Sequence, residues 1–223
     1  MILRRLAALV LCLCMACPVY GAAEQKYVAL TFDDGPSGRF TRALLDGLKQ
    51  RDVQATFLLC GYRLKDYPAE AKRIYAEGHE IGLHGYSHSC MAKMCQEDVE
   101  REIADTLALL PPGCRPVFLR PPGGKYSEAV LDAARQADLA VLSWSVDPRD
   151  WARHDAKVIR ETVVGMVRDG DVILLHDMSD SSVEAALAIV DELKAQGFIF
   201  VTVSKLARLK GRTVEPGKVY TRF

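Results

Sequence analysis

Two histidines four residues apart, in His84-Gly85-Tyr86-Ser87-His88, can offer their imidazoles to one metal ion if the segment turns tightly. Alone, that spacing equally suits surface or hydrogen-bonded histidines. Far upstream, Thr31-Phe32-Asp33-Asp34-Gly35-Pro36 puts two acids side by side. Neighbouring carboxylates repel unless a cation compensates, although Asp-Gly-Pro by itself is good turn chemistry. The functional reading gives Asp34 to a metal shared with His84 and His88 and leaves Asp33 to act on water. One Asp and two His ligands plus water make an open, catalytic type of site. A rival grouping, His84, His88, Cys90 and Cys95, would close a structural zinc centre and leave Asp33, Asp34 and His176 without a task.

Two further segments carry polar groups at the ends of apolar runs. Arg120-Pro121-Pro122-Gly123-Gly124 fixes a guanidinium beside two stiff prolines and an accessible backbone. Arg120 suits the orienting of a carboxylate such as Asp33, and the Gly123 amide suits donation to an oxyanion. Asp171-Val172-Ile173-Leu174-Leu175-His176 is an apolar strand ending in histidine. With Asp150 as hydrogen-bond partner, His176 would stay protonated and serve as a general acid.

Those residues need elements to position them. Short apolar runs predict strands over 28–32, 55–59, 80–83, 117–119, 139–145, 172–175 and 198–201. Helix-period stretches predict helices over 41–51, 68–77, 96–110, 128–137, 156–168 and 182–196. Gly78, Gly170 and Gly197 mark helix ends or turns, and Val183, Leu187, Val190 and Leu193 share one face of the last helix. Alternating strands and helices mean a parallel sheet covered by helices, either closed into an irregular barrel or open and doubly wound. Asp33-Asp34, His84, Arg120, the 147–151 segment and His176 all follow strands. In such architectures the carboxyl ends of the strands share one face, where active sites are built.

The first 23 residues stand apart. Arg4 and Arg5 precede an apolar run over 6–17, then come Pro18 and the small residues Gly21-Ala22-Ala23. This predicts an export signal over 1–23 and a mature domain over 24–223. Twelve apolar residues fall short of the roughly 20 that span a bilayer, so no stable membrane insertion of the mature chain is expected. Lipid attachment at Cys17 is the lesser alternative. The chain has 29 basic and 29 acidic residues, so losing Arg4 and Arg5 leaves a net charge of −2. Nothing in that balance suggests nucleic acid as a partner. Outside the signal stand Cys60, Cys90, Cys95 and Cys114, and an oxidising compartment permits disulfides. Cys60 follows a strand and Cys114 precedes one, on opposite ends of the sheet, so the expected pair is Cys90–Cys95.

Taken together these segments resemble the polysaccharide deacetylase family, carbohydrate esterase family four. The segment from Thr31 to Ser37 is similar to its first motif, with Asp33 matching the catalytic base and Asp34 the metal-binding acid. His84 and His88 match the metal-binding pair, and Arg120-Pro121-Pro122 the motif whose arginine orients the base. Asp147-Pro148-Arg149-Asp150-Trp151 resembles the fourth motif, where the second acid tunes the catalytic histidine and the tryptophan lines the substrate groove. Leu174-Leu175-His176 is similar to the fifth, its leucine walling the acetyl pocket and its histidine acting as acid. The resemblance implies a distorted (β/α) barrel of about seven parallel strands in a single domain. It also implies a divalent metal, zinc before cobalt, nickel or manganese, and an acetylated glycan as substrate. The implied reaction removes N-acetyl groups from a polymer containing N-acetylglucosamine, such as peptidoglycan, chitin or an exopolysaccharide. An O-acetyl esterase acting on xylan and an inactive glycan-binding module are the alternatives. Three positions depart from the pattern: Gly85 replaces a serine or threonine, Gly123 an aromatic residue, and Leu83 an asparagine. They bear on metal-site support and substrate preference more than on the reaction itself.

Overall fold

A strand buried on both faces of a helix-covered sheet is apolar throughout, and β1 (Lys26–Asp33) has that character, with every residue from Val28 to Asp33 buried. The structure, a computed structural model, describes residues 25–223. The export signal and Cys17 lie outside the described residues. The remaining strands are β2 (Thr56–Leu59), β3 (Glu80–Leu83), β4 (Phe118–Leu119), β5 (Ala140–Leu142), β6 (Val172–His176), β7 (Phe198–Phe200) and β8 (Val219–Tyr220). All strand pairs are parallel, in the order β6-β1-β2-β3-β4-β5-β8, with β7 beside the amino end of β1. A bridge between Val146 and Ile173 ties the segment after β5 to β6, so the curled sheet meets itself as a distorted barrel.

Helices α1 (Arg39–Gln50), α2 (Gly61–Asp66), α3 (Pro68–Ala76), α4 (Gln96–Leu107), α5 (Glu128–Gln136), α6 (Ala156–Met166), α7 (Asp180–Ala195) and α8 (Val203–Leu209) connect the strands. Side chains of Asp155, Ser179 and Thr202 accept amide hydrogens at the starts of α6, α7 and α8. On α7, Val183, Val190 and Leu193 are buried, whereas Leu187 is half-buried and sits over Gly47 of α1. A β-carbon there would lie 2.4 Å from Leu187, so the two helices approach closely because Gly47 has none. Six predicted helices and seven predicted strands are present, β3 with its predicted ends and the others with shifted ones. The structure adds α2, α8 and β8, and it cuts the strand predicted over 139–145 to three residues.

Side chains alternate across a strand. The outward set, including Leu30, Phe32, Phe57, Ile173 and Leu175, forms the main core with α1, α6 and α7, and Phe32 stacks on Phe57 at 5.2 Å. Ala29, Leu58, Phe118, Ala140, Leu142 and Val172 form a separate inner cluster. Small residues fit there: a β-carbon on Gly82 would lie 2.5 Å from Leu58 and 2.9 Å from the Phe118 carbonyl. Counting on by two from this inner set gives Asp33, His84, Arg120, Leu174 and His176. The period of the strands therefore sends the chemistry to the carboxyl mouth of the barrel.

Candidate active site and metal centre

Asp33 closes β1, is buried, and pairs in register with His176 at the end of β6. Arg120 is fully buried just past β4, and its Nη1 donates to Asp33 Oδ1 at 2.7 Å and to the Thr31 hydroxyl at 2.8 Å. Its Nη2 donates to the Ser143 carbonyl at 2.8 Å and its Nε to that of Leu142 at 3.3 Å. The guanidinium thus fixes one oxygen of Asp33 and leaves Oδ2 facing His84 Nε2 at 3.7 Å.

His84 follows β3, and its Nδ1 lies 2.6 Å from the Arg120 carbonyl oxygen. A carbonyl only accepts, so Nδ1 carries the proton and the Nε2 lone pair of the neutral ring points away, towards Asp34. Asp34 Oδ1 lies 3.2 Å from His84 Nε2 and 3.0 Å from His88 Nε2. Ligand atoms of these three side chains all fall within 4.8 Å of one another. Asp34 Oδ1 is buried and has no hydrogen-bond partner. A lone pair aimed at an unpartnered carboxylate oxygen is stabilised by a cation between them, so the residues fit a divalent ion. One oxygen and two imidazole nitrogens form a donor set suited to zinc and its first-row neighbours. The backbone accommodates this with positive φ at Asp34 (71°) and His88 (59°). Neither Cys90 nor Cys95 joins the group, which argues against a closed structural zinc centre.

His176 is held by one buried carboxylate at two points. Asp150 Oδ1 meets its Nδ1 at 2.8 Å, and Asp150 Oδ2 accepts from its backbone N–H at 2.9 Å. Burial pushes the imidazole pKa down, but the hydrogen bond to Asp150 and that residue's charge prevail and raise it to about 9. The ring is therefore protonated at neutral pH, with Nε2 the nitrogen that Asp150 does not engage.

A cavity of about 430 Å³ is lined by Asp33, Asp34, His84, His88, Gly123, Trp151, Leu174 and His176, which sequence reasoning had grouped, and also by Trp144 and Asp147. Arg120 and Asp150 sit behind it, hydrogen-bonded to Asp33 and His176. Trp151 is exposed, with Arg149 over its ring at 5.3 Å. Gly123 has φ of 68° and nothing within 4 Å of where its β-carbon would be, so the cavity is open on that side. Gly124 has no such room, because Trp144 lies 2.6 Å from its β-carbon position. Trp144 was missed because it lay inside the strand predicted over 139–145. The sign available in the sequence was an aromatic residue just ahead of the 147–151 segment.

Cys60, Cys90, Cys95 and Cys114 are free thiols, so the expected Cys90–Cys95 bond is not formed. The two sit at opposite ends of the short 3-10 turn Met91–Lys93, and Cys95 Sγ turns to Asp98 at 3.3 Å.

The sequence pattern of the polysaccharide deacetylase family matches residues 20–142, more than half of the chain. The chain belongs to the polysaccharide deacetylase family. The peptidoglycan-N-acetylglucosamine deacetylase of Bacillus cereus is 41% identical over 193 residues, covering 84% of this chain and 91% of its own length. A chitooligosaccharide deacetylase of Sinorhizobium fredii is 36% identical over 188 residues, covering 77% and 87%. Among solved structures, the family 4 acetyl xylan esterase of Clostridium thermocellum in complex with cobalt superposes with a TM-score of 0.83. It is 36% identical, covering 88% of this chain and 98% of that one. The distorted barrel is thus the fold of carbohydrate esterase family four.

Proposed function

We propose that this chain hydrolyses N-acetyl groups from a polysaccharide containing N-acetylglucosamine, with peptidoglycan and chitin-type polymers as the leading substrates. The observation that carries the reading is one cavity in which the Asp34-His84-His88 cradle adjoins the Arg120-held Asp33 and the Asp150-held His176. The naming of the Bacillus cereus and Sinorhizobium fredii relatives supports an amide substrate. The protein acts outside the cytoplasm, exported by residues 1–23, with residues 24–223 as the catalytic domain.

Asp34, His84 and His88 would hold a divalent ion, zinc before cobalt, nickel or manganese, which supplies Lewis acidity and a more acidic bound water. Asp33 is the general base: Arg120 holds Oδ1, so Oδ2 takes the proton of the attacking water. The main-chain N–H of Gly123 donates to the oxyanion that forms at the acetyl carbonyl. Leu174 receives the acetyl methyl, and Trp151 lies along the sugar. His176 is the general acid. With Nδ1 bound to Asp150, it delivers a proton from Nε2 to the departing nitrogen, giving a free amino sugar and acetate.

The similarity to an acetyl xylan esterase favours a second reading, hydrolysis of an O-acetyl ester. Acetate release from peptidoglycan, chitin oligomers and acetylxylan, with and without added zinc, separates the two. Release from the first two is expected. A strong preference for acetylxylan would establish the ester instead. Asp33→Asn should lower the rate by roughly 10²–10⁴-fold on the true substrate, and a wild-type rate in that variant would reject its role as base.

A further inference from the structure

The loop carrying both histidines is braced from outside, and its amide hydrogens converge on one side chain. Glu102, on α4, accepts from the Tyr86 N–H at 2.6 Å and the Ser87 N–H at 2.9 Å with Oε2. Its Oε1 accepts from the Ser87 hydroxyl at 2.6 Å. The loop carbonyls are satisfied from the other side, where Gly61 N–H donates to Gly85 O and Tyr62 N–H to Tyr86 O, each at 3.0 Å. Between them, the β2–α2 turn and one carboxylate satisfy the Gly85 and Tyr86 carbonyls and the Tyr86 and Ser87 amides of the segment linking His84 to His88. The Tyr86 ring is seated against Gly61, where a β-carbon would come within 2.3 Å.

Such bracing is needed because the loop is not in a relaxed conformation. His88 has positive φ, 59°, and a histidine in that region is held there by its surroundings, whereas Gly85 takes its φ of 75° freely. The side chain at position 85 cannot help, because glycine has none. A β-carbon there would lie 3.1 Å from Glu102 Oε2, so the carboxylate already fills the space beside it. α4 makes a firm base, with Val99 and Ile103 buried in a core cluster with Leu83, Met91 and Leu119, and the Thr106 hydroxyl donating to the Glu102 carbonyl at 2.7 Å.

We infer that Glu102 is a positioning residue for the metal centre: it fixes the separation of the His84 and His88 imidazoles without itself ligating the ion. Its two carboxylate oxygens are both engaged with the loop and belong to no cluster of ligand atoms. The inference rests on the assignment of Asp34, His84 and His88 to a divalent ion.

The test uses the metal-stripped protein and zinc alone, with affinity read by competition against a chromogenic chelator and melting recorded with and without zinc. Glu102→Ala should weaken zinc binding by about 10–100-fold, as loss of a supporting hydrogen bond to a ligand does elsewhere. Its zinc-free melting temperature should stay close to wild type, so that the rise produced by zinc shrinks. Glu102→Gln keeps one carbonyl oxygen for the two amides and should fall between the two. It decides the matter if the alanine variant does not fold. Equal zinc affinity in wild type and variants overturns the brace alone, as does an equal loss of melting temperature in the zinc-free and zinc-loaded forms. A wild-type protein that takes up no divalent ion overturns the metal assignment and this inference with it.

Discussion

The mouth of the barrel holds two carboxylate–histidine groupings built from the same side chains and suited to opposite tasks. At His176, the carboxylate of Asp150 is buried behind the ring and engages both the Nδ1 and the main-chain N–H of a single histidine. Each oxygen has a hydrogen, and the imidazole is left cationic. At Asp34, the carboxylate faces the Nε2 atoms of two histidines, one of which has committed its only ring proton to a backbone carbonyl. One oxygen there has no hydrogen to accept. The choice between proton and metal is thus made by which ring nitrogen the carboxylate meets and by what holds the other nitrogen, rather than by residue type.

Substitutions in the two groupings should therefore have unlike signatures. The largest effect is expected for Asp34→Ala, which removes the cradle's anionic donor. Bound metal, measured by elemental analysis after dialysis, should fall to background, and acetate release should fall with it. Full metal occupancy in this variant would break the comparison. His176→Ala should slow acetate release by roughly 10²–10⁴-fold while metal content stays at the wild-type level. Loss of metal there would mean that the two groupings are not separate devices.

Asp150→Asn is the smaller and sharper test. Burial lowers the His176 pKa, but Asp150, helped by the charges of Asp33 and Asp34, raises it from 6.5 to about 9, so the acid form persists at pH values where an ordinary histidine has lost its proton. Without the Asp150 charge, only Asp33 and Asp34 oppose the burial that lowers the pKa, and the alkaline limb of the rate profile should move to lower pH. An unmoved limb would assign the limb to another group. The same linkage governs stability: the contribution of the pair is fully present below about pH 6.5 and is lost as the pH rises through about 9.

Much of this architecture was legible from the chain because its strands are short, buried and apolar, and because polar residues follow them abruptly. Asp33, His84, Arg120 and His176 could be placed at one mouth from that rule alone. What escaped had no such contrast. β8 is only Val219–Tyr220, in a segment without an apolar run, and it exists by pairing with β5. α2 and α8 are six and seven residues long, too short for a periodic pattern. Trp144 looked like strand until the strand stopped at Leu142 and let the indole reach the cavity. Glu102 was invisible for another reason: it sits on the polar side of an ordinary helix, and only the fold brings it against the loop around Ser87.

Arg120 carries the longest shadow. One side chain joins the ends of β1, β4 and β5 and orients the Asp33 carboxylate, so its loss would strand a buried carboxylate in the middle of the fold, an injury that typically costs about 3–5 kcal/mol. Asp34 leaves no buried counter-charge behind, so a lineage freed from selection on turnover should shed it with less harm to the fold than Arg120, whose retention would then record structural debt rather than surviving chemistry.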